Sequence, residues 1–104
     1  MKPVEVLLKK HGHLNEIVGS MITFRKLLQK HGFTNQSLSN VSAAPSDVWL
    51  AYNDLTGLIQ SAKNNLNKYG LFDDPQFKKN FDDYIFKLLS TIEEQYPLED
   101  GSQE

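Results

Sequence analysis

Seven residues in the middle of the chain limit its fold more than any other feature. Val48, Tyr52, Leu55, Ile59, Ala62, Leu66 and Tyr69 recur at alternating spacings of four and three. This is the apolar stripe of a helix lying against partner helices. Comparable stripes precede and follow it, so the sequence reads as all-α.

The first stripe holds Leu7, Leu14, Ile17, Val18, Met21, Phe24 and Leu28 on one face. It starts after Pro3, which suits a first helical turn because its missing N–H is not needed there. Its phase carries across Gly12, which predicts one helix over about 3–31, stopped by Gly32. His11-Gly12-His13 could equally break that helix in two, since glycine inside a helix costs about 1 kcal/mol relative to alanine. The second helix is predicted over 45–69, opened by Pro45-Ser46-Asp47 and closed by Gly70. A third is predicted over 75–95, with Asp74 as N-cap, Pro75 in the first turn, and Phe77, Phe81, Tyr84, Ile85, Leu88, Leu89 and Ile92 inside. Pro97 marks its end. The architecture expected is a three-helix up-down-up bundle over residues 1–97, or a four-helix bundle if the first helix breaks at Gly12. The short link at 71–74 predicts that the last two helices are antiparallel neighbours. Residues 33–44 are rich in Ser and Asn and read as a long loop. Through Phe33, Leu38 and Val41 that loop could act as a lid. Residues 98–104 read as an acidic, frayed tail.

At 104 residues, with 39% hydrophobic and 23% charged side chains, the chain is one globular domain. It has no cysteine, so disulfides and thiolate metal sites within it are excluded. Glu5, Lys9 and Lys10 interrupt the N-terminal apolar residues, so no signal peptide is read there and a cytoplasmic location is expected. No apolar run reaches the roughly 18 residues of a membrane span. Charge is uneven: residues 1–31 carry six Lys/Arg against two Glu, whereas residues 71–104 carry three Lys against nine Asp/Glu. This asymmetry fits first and last helices that neutralise each other, or an acidic end offered to a basic partner. It argues against general DNA binding. The basic first helix lacks a dominant cationic amphipathic face, which argues against a membrane-surface role.

Little in the sequence points to catalysis. His11 and His13 are two apart and lie on nearly opposite sides of a continuous helix, with His31 far along it. No metal site and no cofactor are expected. The pairs Asp73-Asp74, Asp82-Asp83 and Glu93-Glu94 are adjacent residues that diverge by about 100° on a helix, so neither member can support the other at one atom. The segment Arg25-Lys26-Leu27-Leu28-Gln29-Lys30-His31 resembles the Arg…His motif of the HEPN helical ribonucleases. That resemblance implies RNA cleavage at a dimer interface, with Arg25 stabilising phosphate and His31 in acid–base chemistry. It spans seven residues and ends the first helix, whereas the family's motif usually lies later in its bundle.

The apolar residues left over from the stripes carry more information. Phe86 lies about 140° from the centre of the third helix's inner face. Trp49 and Leu50 are displaced on the second helix, and Leu8 and Leu27 on the first. Exposed aromatics dominate interface hot spots. The expectation is a non-enzymatic module that binds a partner protein or itself through Phe86, or through Trp49 and Leu50 where the loop leaves them uncovered. Immunity proteins, antitoxins and adaptors are comparable by fold alone.

Overall fold

A computed structural model of the chain describes residues 3–34 and 45–98. Within them lie four α-helices: α1 Val4–His11, α2 Leu14–Lys30, α3 Ser46–Asn67 and α4 Pro75–Gln95, with a 3₁₀ turn at Leu71–Asp73. No strand is present among the described residues. Residues 35–44 of the expected loop, including Leu38 and Val41, and residues 99–104 of the expected tail lie outside the described residues.

The first helix does break, and the four-helix alternative is the one adopted. Gly12 ends α1, while His13 adopts a left-handed conformation at φ 55°. The two residues do different jobs. His13 makes the turn, and Gly12 allows a close approach. A Cβ on Gly12 would sit 2.5 Å from a methyl of Leu8 and 3.2 Å from the Ala62 side chain on α3. The carbonyl of His11 accepts a bond from the Asn65 Nδ2 at 3.2 Å, so a side chain on α3 serves one of the orphan carbonyls at the end of α1. The break also resets the helical phase. Leu8, expected outside the stripe, is fully buried with Val4, one turn earlier. Leu7, expected inside, is only partly buried.

The remaining helix ends follow the sequence. Gly32 closes α2 at φ 73°, with Phe33 N–H bonded to the Leu28 carbonyl and Gly32 N–H to that of Gln29. This is the Schellman arrangement. The Asp74 carboxylate caps α4 by accepting from the Gln76 N–H at 3.0 Å, with Pro75 beside it.

Contacts between ends set the topology. His31, just after α2, meets Asp47 at the start of α3, while Gly12, just before α2, approaches Ala62 near the end of α3, so α2 runs antiparallel to α3. Arg25 near the end of α2 bonds the Tyr96 carbonyl at the end of α4, so α4 runs parallel to α2, and α2, α3 and α4 follow an up-down-up order. The last residue of α1, His11, meets Tyr69 just past the end of α3 at 4.8 Å between ring centroids, whereas Pro3, Val4 and Glu5 at its start lie with Asn80, Asp83, Tyr84 and Lys87 of α4.

The last two helices are not close neighbours. No Cα of α3 comes within 8 Å of a Cα of α4, although both approach α1 and α2 that closely. The short link packs onto α4 through its aromatic residue. Phe72 in the 3₁₀ turn packs edge-on against Phe77 and Phe81, each at 5.3 Å between centroids. The core is shared by all four helices and centres on Leu8, Ile17, Met21, Leu66, Phe77 and Phe81. On α3 its face is rotated slightly from the sequence stripe. Ala51 is buried, whereas Tyr52 and Tyr69 remain exposed. Tyr69 lies beyond the last helical residue, Asn67, so helical spacing no longer fixes its direction.

Candidate interaction face

The separation of α3 from α4 leaves a groove along the molecule. From α3 come Ile59 and Lys63; from α4 come Asp82, Ile85, Phe86 and Leu89, with Phe81 at the floor. Its volume is about 160 Å³. The Lys63 stem lies over the floor, its ammonium 5.8 Å from the Phe81 ring centroid. Such a side chain covers apolar surface while its charge stays in water.

Phe86 stands at the rim and is 71% exposed. Burying a phenylalanine side chain yields about 1.5–3 kcal/mol, which this residue forgoes in the isolated chain. At 100° per residue the apolar positions of α4 from Tyr84 and Phe77 through Ile92 and Ile85 to Leu89 span about 140°. Phe86 stands about 60° beyond Leu89, with Asp82 and Glu93 between them. Phe77, Phe81, Ile85 and Ile92 are buried, while Leu89 and Phe86 line the groove. Sequence reasoning placed Leu89 and Ile59 in the core, but both are only partly buried. The displacement of Phe86 from the inner face of α4 was the available signal.

The other predicted contact residues sit elsewhere. Trp49 is 40% exposed and Leu50 59%. The Trp49 ring stacks on Tyr52 at 5.9 Å and 18°, and Tyr52 in turn meets Phe24 at 5.8 Å. This intrachain ladder takes up one face of Trp49. Among the described residues no ring contact joins it to Phe86.

Arg25 and His31 are held by different elements. Arg25 is 6% exposed, and its Nε donates to the Tyr96 carbonyl at 3.1 Å. The His31 Nε2 lies 3.0 Å from both Asp47 carboxylate oxygens. An ionised carboxylate only accepts, so Nε2 is the donor. The Asp47 carboxyl is held below its ordinary value chiefly by this bond. Desolvation opposes the shift, while the charge of His31, the Val48 N–H and Lys30 add to it. The Arg25 side chain is thus buried and joined to a backbone carbonyl, while His31 is held by Asp47. His13 pairs with Glu16 at 3.3 Å. No group of three metal-ligating side chains occurs among the described residues. No described helix is long and apolar enough to cross a membrane.

No family model, curated protein or solved structure matches this chain.

Proposed function

We propose that the chain is a non-enzymatic protein-interaction module that docks through the groove between α3 and α4, with Phe86 as anchor. The observation that carries this reading is an aromatic ring 71% exposed at the rim of an apolar groove. Isolated exposed leucines are ordinary, but a phenylalanine continuous with partly buried Leu89 and Ile59 forms a patch. Hot spots are typically aromatic residues beside a pocket, surrounded by contacts that exclude water. Lys63 and Asp82 at the groove's edges supply a polar rim of both signs. Leu50 is a second, smaller candidate contact on α3, because Trp49 beside it is already stacked. A cytoplasmic setting fits the cysteine-free composition.

The test uses a photo-crosslinking phenylalanine analogue placed at position 86 and, separately, at position 94. Glu94 lies at the centre of the polar arc of α4, about 80° from Phe86 by the helical period. Irradiation in the native host is expected to give covalent adducts from position 86 and not from position 94. No adduct from position 86, or equal yields from both, would sink the proposal.

A further inference from the structure

We infer that the occupant of this face is a second copy of the chain, docked antiparallel along α4 about a two-fold axis beside Phe86. The inference rests on the interaction reading above and names its partner. It follows from the order of residues along the outer stripe of α4. Lys79 and Glu93 lie seven residues to either side of Phe86. Each is therefore about 10.5 Å along the helix axis from it, and within about 20° of its direction. Both are exposed. When two copies of α4 meet antiparallel at Phe86, Lys79 of one faces Glu93 of the other, and the two-fold repeats the pair at the opposite end. Asp82 comes opposite the other copy's Leu89 and Asp83 opposite its Ser90, and the nearest acid across the axis from Asp82 is Glu93, which Lys79 faces.

The parallel alternative would set Lys79 on Lys79, Asp82 on Asp82 and Glu93 on Glu93, which repel. Charge order thus selects one orientation, and it is an orientation that a closed dimer can adopt. The supporting details agree. Glu93 makes no ion pair among the described residues, while Lys79 already holds Asp83 at 2.9 Å. An ammonium has three N–H donors, so Lys79 can also bond a second carboxylate. Knob and hole also lie side by side: the exposed Phe86 ring borders a groove of about 160 Å³. A surface that carries both can be complementary to itself, which an isologous interface requires.

Sedimentation equilibrium on the full chain tests this, from micromolar to millimolar concentration. The expected mass at the upper end is twice the 11.9 kDa of one chain. Phe86→Asp should be monomeric throughout, with unchanged helical circular dichroism. Lys79→Glu and Glu93→Lys should each weaken the dimer about tenfold, near 1.4 kcal/mol. The charge-swapped double variant should recover wild-type association, because it restores both intermolecular pairs without restoring the Lys79–Asp83 bond. A single-chain mass at every concentration overturns the dimer, as does a double variant no tighter than the singles. The crosslinking experiment then separates the two levels. Adducts from position 86 with a different protein leave the interaction reading standing and remove only the second copy. No adduct at all removes both.

Discussion

Arg25 fastens α2 to the end of α4, its Nε donating to the Tyr96 carbonyl at 3.1 Å from a side chain that is 6% exposed. A second bond nearby, from Gln29 Nε2 to the Pro97 carbonyl at 2.9 Å, holds the same turn of chain. The ammonium of Lys26 lies 5.6 Å from the Tyr96 ring centroid. Three side chains from the last half of α2 thus converge on the C-terminal end of α4. Within the described structure, the role of Arg25 is to join helices.

Replacing Arg25 by methionine keeps much of its apolar stem and deletes the donor. The Tyr96 carbonyl then loses its partner, at a cost of about 1–3 kcal/mol. Chemical denaturation followed by circular dichroism should show a lower midpoint with an unchanged slope. Wild-type stability in Arg25→Met would show that the contact contributes nothing.

Glycine-to-alanine exchanges should go in opposite directions at two sites. At Gly12 the new Cβ meets Leu8 at 2.5 Å and Ala62 at 3.2 Å, so α1 must shift away from α3 or Leu8 must leave its rotamer. Overpacking of this kind costs about 1–3 kcal/mol. At Gly57, inside α3, nothing lies within 4 Å of a new Cβ, and alanine should stabilise by about 1 kcal/mol. Thermal melts of the two variants should therefore fall on either side of wild type. Equal shifts would mean that the close approach of α1 to α3 is not formed.

His13 offers a related gain. It holds a left-handed conformation at φ 55°, which costs a non-glycine residue about 1–2 kcal/mol. Its pairing with Glu16 is exposed on both sides and offsets little of that. His13→Gly should raise the melting midpoint, while His13→Val, branched at Cβ, should lower it. A lower midpoint for the glycine variant would place the bend between α1 and α2 elsewhere.

These cases show which parts of the fold were legible in the sequence. The caps at Gly32 and Asp74 were readable because each uses a residue with one strong local preference. The stripes were readable where one helix continued unbroken, apart from the slight rotation on α3 that buries Ala51 and exposes Tyr52. The phase reset at His13 was not, since a left-handed histidine has no sequence signature and Gly12, the evident breaker, is needed for packing. Leu8 was misplaced for that reason alone. The short link suggested touching helices, but α3 and α4 do not approach each other closely, and α1 packs against both. Of the candidate site, exposed Phe86 could be read from helical angles, whereas the groove beside it required knowing where α3 stood. The bond from Arg25 to the Tyr96 carbonyl was not legible, because the two residues lie 71 positions apart.

The pairing of His31 with Asp47 predicts an acid-sensitive contribution to stability. The Asp47 carboxyl is held below its ordinary value, first by the bond from His31. A carboxyl whose value is depressed on folding stabilises the folded state above its unfolded value, near 3.9, and loses that contribution as pH falls through the folded value. The loss should therefore begin around pH 4–5 and continue below it. Asp47→Asn removes the titrating group but leaves an oxygen that can accept the same bond. Its melting midpoint should fall less steeply than that of wild type between about pH 5 and pH 2, with the two curves converging at the acid end. Parallel curves would mean that the pair forms no differently in the folded and unfolded chains, and that the joint between α2 and α3 depends on Leu28 and Val48, both fully buried beside it.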